Sequence, residues 1–254
     1  MSDRILSKIR RLNRVLTEST AGMFSYDELG KILSEVINAN VYITDAGGNV
    51  LGAGYINAED TSTVTDEKGG EKLTEAHNSR FMKIESTVAN LRGKEATDLL
   101  GEDYTMAGKY HCVIPAFCGG ERLGTLILAR YSPEFDEEDI ALCEYGAAVI
   151  GLEIQRNNRL AREEELRKKA AVDIALASLS FSEKEAVCNM MGEFEGDTGT
   201  IVTSKIAEKY GMTVSLTLNA LRKLESAGVV ETRSMGMKGT RIKILNPCLR
   251  ERLK

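Results

Sequence analysis

The sequence predicts an α+β chain of two domains joined by a long helix. Three observations lead there. The chain has 254 residues, more than one domain usually holds. Its first 130 residues alternate amphipathic helical stretches with two hairpin-like pairs of β-rich runs. A proline-free, helix-forming stretch from 137 to about 179 then separates them from a C-terminal segment of opposite charge. Hydrophobic residues are 43% of the chain, aromatics only 6%, and Trp is absent, so both cores must be built from Leu, Ile, Val, Ala and Met.

In chain order, residues 4–17 place Ile5, Ile9, Leu12, Val15 and Leu16 at helical spacing, which predicts an amphipathic first helix. A second helix is predicted over 25–37, because Ser25 followed by Glu28 is a capping-box pattern. Residues 40–55 are two β-rich runs around Asp45-Ala-Gly-Gly-Asn49, a hairpin. The polar stretch 57–71 reads as loop and 72–90 as helix. Two more strands, 110–117 and 122–130, flank the turn Cys118-Gly-Gly-Glu121. Antiparallel strands with helices beside them make this domain α+β. From 137 to about 179 only Gly146 and Gly151 interrupt good helix formers, which gives one long helix or two in tandem. Within it, 162–169 reads as a solvated face held by charge pairs three or four residues apart. The expected boundaries are 1–155 for the first domain, 156–179 for a helical linker and 180–254 for the second domain.

The C-terminal segment opens with a helix near Ser180, with Ser182 and Glu185 as its capping pair, that runs to about Phe194. A Gly-rich turn follows over 195–199. Residues 202–210 form a short helix with Ile206 and Ala207 inward, and Gly211-Met212-Thr213 supplies a tight turn. The next helix, 214–227, is capped by Thr213 and buried along Leu218, Leu221 and Leu224. Two helices joined by a short Gly-containing turn are a helix-turn-helix, whose second helix is shaped to enter the DNA major groove. Residues 228–245 then give two strands around a Gly-rich tip, which is a wing.

Charge supports that reading. Residues 201–254 hold eleven basic and four acidic residues, a local charge of +7, so in a chain of net charge −5 the first 200 residues carry −12. A basic module on an acidic body points to a polyanion partner for the module alone. Val214, Ser215, Thr217 and Asn219 are the candidates for base edges, while Arg222, Lys223, Arg233, Lys238 and Arg241 are the candidates for phosphate. Phosphorylation of Ser215 would set like charge against DNA phosphate. The competing use of such a module is protein contact.

Other function classes find little support. The N-terminus lacks the apolar run of a secretory signal, and no later run approaches a membrane span, so a cytoplasmic protein without membrane partners is expected. The five cysteines are odd in number and none has zinc-knuckle or redox spacing, so reduced thiols and no metal site are expected. His77 and His111 are the only histidines, with no nucleophile at motif spacing. Gly119 to Gly124 has the glycine spacing of a phosphate loop, but Thr125 stands where that motif requires Lys, so it reads as a hairpin turn.

From Thr203 onward the chain resembles the CodY family of global repressors of low-GC Gram-positive bacteria, through Ser204-Lys-Ile-Ala, Asn219-Ala-Leu-Arg-Lys-Leu-Glu-Ser-Ala-Gly-Val229 and Gly236-Met-Lys-Gly-Thr240. A second block, Gly119-Gly-Glu-Arg-Leu-Gly-Thr-Leu-Ile-Leu128 with Glu144-Tyr-Gly-Ala-Ala-Val-Ile-Gly151, resembles the end of that family's N-terminal GAF domain. The resemblance implies a homodimer with a GAF-like sensing domain, a response to branched-chain amino acids and GTP, and a winged helix that represses nutrient-limitation genes. It extends the DNA-binding set over 203–222, adding Thr203, Ser204, Lys205 and Thr213. Isoleucine, valine or leucine is the implied effector, with Arg80, Phe81, Met82, Tyr104 and Met106 as candidate lining residues whose other reading is ordinary core. Two departures stand out. Val214 occupies a position that is basic in the family, and the hairpin tip 45–49 has no cation to meet a triphosphate, which speaks against GTP. No prosthetic cofactor and no enzymatic reaction are expected. The competing reading is a ligand-independent dimeric DNA-binding or interaction protein whose GAF domain is only a dimerisation platform.

Overall fold

A computed structural model describes residues 2–18, 24–57, 64–65, 70–101 and 108–253 of the chain. Tyr104, Met106 and the side chains of Val15 and Leu16 lie outside the described residues. The chain divides into two compact units, Met1–Asn158 and Arg159–Lys254. Among the described residues no helix is long and apolar enough to cross a membrane.

The first unit is built on a five-stranded antiparallel sheet of order β2-β1-β7-β6-β5. Its strands are β1 (Asn40–Asp45), β2 (Val50–Gly54), β5 (Val88–Leu91), β6 (Tyr110–Cys118) and β7 (Glu121–Arg130). Successive side chains in a strand point to opposite faces, and the apolar residues here sort accordingly. Val41, Ile43, Cys112, Ile114, Ala116, Leu126 and Leu128 pack under α1 (Ser2–Glu18), α2 (Tyr26–Ile37) and the start of α5 (Glu137–Ala177). Tyr42, Val113 and Ile127 face the other way and pack with Phe81 of α3 (Glu75–Met82) and with Ala96 and Leu100 of α4 (Gly93–Leu100).

Local chemistry explains several of these elements. Ser25 caps α2 by accepting from Glu28 N at 3.2 Å. Gly119 and Gly120 both take positive φ, as a two-residue turn between β6 and β7 requires. Helix α2 lies against β2 at glycine contacts: a Cβ on Gly54 would come within 2.2 Å of the Gly30 carbonyl oxygen. The helix predicted over 72–90 is mostly absent. Thr74 caps a helix of only eight residues, and Val88–Leu91 pairs with β6 as an edge strand. Residues 57–71 are not all loop either, since β3 (Val64–Thr65) pairs with β4 (Glu71–Lys72).

The most heavily bonded buried polar group of this unit is satisfied internally. The Arg130 guanidinium donates to the carbonyls of Pro133, Ile37 and Glu134 and to Asp139 Oδ2 at 2.5 to 2.7 Å. His111 is buried in β6, and burial holds its pKa down to about 4. Cys112 and Cys143 are buried core residues, with burial pushing the Cys112 thiol up to about 12, whereas Cys118 is half-buried and Cys188 exposed.

The predicted long helix is one helix of 41 residues. Its charged stretch is laced by Arg159–Glu163, Arg167–Glu164 and Lys169–Glu165 pairs at helical spacing. Val172 and Ala175 near its end pack into the second unit's core with α6 (Phe181–Gly192) and Leu221 and Leu224 of α8 (Val214–Ser226). The cap of α6 is two residues earlier than predicted. Ser180 and Glu183 form the capping box, not Ser182 and Glu185.

Candidate nucleic-acid interface

In the second unit, α7 (Thr203–Lys209) leads through Gly211, at φ +67°, into α8. Thr213 caps α8 by accepting from Leu216 N at 3.2 Å. The helix then shows two faces. Thr217, Ala220, Leu221 and Leu224 are buried against the core, whereas Ser215, Asn219 and Arg222 recur at four- and three-residue steps along an exposed stripe. Two sequence assignments are corrected here. Leu218 is only half-buried, and Thr217, fully buried with its hydroxyl donating to the Thr213 carbonyl, cannot reach a base edge.

Three strands make the wing, not two. The predicted turn over 195–199 ends in β8 (Thr198–Ile201), which pairs with β10 (Thr240–Ile244), and β10 pairs in turn with β9 (Val230–Ser234). Ile242 and Ile244 face the core. Arg241 and Lys243 face solvent, with Arg233 directly opposite Arg241 on β9 and Thr200 opposite it on β8. Like charges at opposed positions disfavour a sheet unless an anion lies over them. At the tip, a short 3₁₀ turn spans Gly236–Lys238 with Met237 fully exposed. Gly239 closes it at φ +100°, where a Cβ would meet the Ile201 carbonyl oxygen at 2.2 Å, so only glycine fits.

The structure sorts the cations of this segment by partner. Lys209 pairs with Glu193 and Arg252 with Asp173, while Arg250 donates to the carbonyls of Met191, Phe194 and Gly196. Lys223, predicted to meet phosphate, instead donates to Glu183 Oε2 at 2.7 Å and to the Ser178 carbonyl at 3.2 Å. That pairing, with the Ser180 backbone N–H behind it, holds the Glu183 carboxyl below its usual range. Lys205, Arg222, Arg233, Lys238, Arg241 and Lys243 are exposed and make no hydrogen bond or ion pair among the described residues. Lys243 was missed as a site residue, although its two-residue step from Arg241 places both on one strand face. Of the remaining candidates, Ser204, Thr213 and Val214 are exposed and Thr203 is half-buried.

The candidate effector residues fare differently. Phe81 lies in the core on the α3–α4 side of the sheet, Met82 is half-buried, and Arg80 Nη1 donates to the Leu100 carbonyl at 2.6 Å. At the β1–β2 tip the Asp45 carboxylate accepts from Asn49 N and Nδ2.

A winged helix-turn-helix with unpartnered cations, carried on the same chain as an α+β domain of this topology, defines a DNA-binding transcription regulator. Comparison with known proteins narrows the class. Residues 4–178 match the CodY GAF-like domain and residues 197–254 the CodY helix-turn-helix domain. The chain is 44% identical over 252 residues to the global transcriptional regulator CodY of Clostridium tetani, covering 98% of each chain. It is also 44% identical over 249 residues to that of Caldanaerobacter subterraneus subsp. tengcongensis, covering 98% of this chain and 97% of the other. The first unit is similar to the solved cofactor-binding GAF domain of the nutrient sensor CodY from Clostridium difficile, at 36% identity and a TM-score of 0.50, over 61% of this chain and 99% of that one. The chain belongs to the CodY family.

Proposed function

We propose that the protein is a cytoplasmic, homodimeric global repressor of nutrient-limitation genes. Its winged domain binds double-stranded DNA, and a branched-chain amino acid held by the GAF domain modulates that binding. It catalyses no reaction, and its working division is a sensing domain over 1–155, a linker over 156–179 and a DNA-binding domain over 180–254. The observation that carries this reading is the sorting of cations. A protein that needed positive charge only for stability would pair it, yet six basic residues of this segment stand beside an exposed recognition stripe without partners among the described residues. In this role Ser215, Asn219 and Val214 approach base edges, while Arg222, Lys205 and the wing cations meet phosphates.

Fluorescence anisotropy with an AT-rich duplex at increasing salt tests the reading. Affinity should fall steeply, with a logarithmic slope of about −0.9 per phosphate contact. Binding that ignores salt would overturn it. A second reading, a GAF domain that serves only as a dimerisation platform, is favoured by Arg80 and Phe81 being engaged internally. Calorimetry with isoleucine, valine, leucine and GTP separates the two, since heat from any of them restores a sensing role.

A further inference from the structure

Lys223 departs from the other cations of the recognition helix because three structural elements converge on it. Its ammonium reaches the Ser178 carbonyl, just past the end of α5, and the Glu183 carboxylate, which is the acid of the α6 capping box. A helix C-terminus presents unpaired carbonyls and negative partial charge, so a cation there is doubly matched: by the end of α5 and by a formal anion. The Glu183 side chain is only 9% exposed, against 43% for Lys223. Pulling the ammonium away toward a phosphate would strand a desolvated carboxylate, a costly state. Two residues further along α8, Glu225 Oε1 accepts from both the N–H and the hydroxyl of Thr232 at 2.8 Å, which ties the same turn of helix to β9 of the wing. One turn of α8 therefore carries the attachments to α5, to α6 and to the wing, while Arg222 within that turn faces solvent.

We infer that Lys223 is a positioning residue, which with Glu183 and the Ser178 carbonyl docks the recognition helix on the end of α5 and so sets the angle at which helix and wing meet DNA. The inference rests on the DNA-binding reading and adds a route for its regulation. A change in the final turn of α5 reaches the recognition helix through one ion pair, not through loss of a phosphate contact.

The test uses the full chain, a duplex selected by the wild-type protein from a random pool, and a scrambled duplex of equal length. Affinities of Lys223→Met, Glu183→Gln, the double variant and Lys223→Arg are measured across a salt series, well below each variant's melting temperature. Lys223→Met and Glu183→Gln should each lower affinity for the selected duplex about tenfold, within the range of coupling between residues of one ion-pair network. The double variant should be no weaker than either single one, because both break the same pair. Affinity for the scrambled duplex and the salt slope should stay at wild-type values, and Lys223→Arg should recover most of the loss. A salt slope reduced by about 0.9 in Lys223→Met, with Glu183→Gln unaffected, would make Lys223 a phosphate contact and overturn the inference. Additive losses, or no loss in either single variant, would also overturn it. If the wild-type protein selects no duplex at all, the DNA-binding reading itself fails.

Discussion

In the first unit, the Arg130 side chain is 7% exposed and meets three carbonyls and a carboxylate, whereas in the second unit Arg233, Lys238, Arg241 and Lys243 stand in solvent without partners among the described residues. The same residue types do opposite work. In the acidic first unit a cation is a structural part that closes the sheet end around β7 and the start of α5. In the basic second unit Lys209, Lys223, Arg250 and Arg252 are engaged by groups of the protein itself, and the surplus faces outward. Counting charges would treat all of these alike; partnering separates them.

Mutations can break that contrast, and the largest effect should come from Arg130→Ala. It leaves Asp139 buried beside three unsatisfied carbonyls, so the first unit should lose about 3–5 kcal/mol, read by chemical denaturation. The second unit's unfolding transition should not move. Equal loss in both transitions would show that the units do not hold their charges separately.

Acid should act on the two units in different windows. His111 is neutral in the fold because burial lowers its pKa from 6.5 to about 4, so between those values the unfolded chain takes up a proton that the folded chain refuses. Its contribution is complete above pH 6.5 and is lost as pH falls toward 4, at most about 3 kcal/mol. The second unit contains no histidine, since both lie at positions 77 and 111. Its shifted carboxylates, Glu164, Glu165, Glu183 and Glu193, are held low by Arg167, Lys169, Lys223 and Lys209 in turn and act only on the acid side of the usual carboxylate range. Denaturation at pH 7 and pH 5 should therefore weaken the first unit alone, and His111→Gln should flatten that dependence.

On the DNA side, Ser215→Asp places a negative charge on the exposed recognition stripe and should lower affinity by about tenfold without altering stability. A variant that binds normally would remove Ser215 both as a contact and as a switch. The smallest effects belong to Lys238→Ala and Arg241→Ala. Each should weaken binding to every sequence and reduce the salt slope by about 0.9. Loss confined to one sequence would mean that the residue reads bases.

How much of this was legible in the sequence follows from how local each signal is. The α2 cap at Ser25, the Gly119–Gly120 turn, the helical character of α5 and the helix-turn-helix all rest on residues within a few positions of one another, so spacing and turn chemistry found them, while whether α5 is one helix or two in tandem stayed open. The short strands β5 and β8 escaped because a strand of four residues acquires its identity from its neighbour: Val88–Leu91 is held by β6 and Thr198–Ile201 by β10. Thr217 was misread for a related reason. Leu218 beside it is the more apolar residue, but the rotation of α8 against its core buries the threonine.

By itself the sequence determined the order of elements, the division into an acidic body and a basic module, and the residues that give this chain its family. Tertiary structure alone decided which cations are available, because the groups that engage the others come from 16 to 79 positions away: Glu193 for Lys209, Glu183 for Lys223, the Met191 carbonyl for Arg250 and Asp173 for Arg252. Charge is written in the chain residue by residue, but whether a charge is exposed or paired depends on what folding brings within about 3 Å of it.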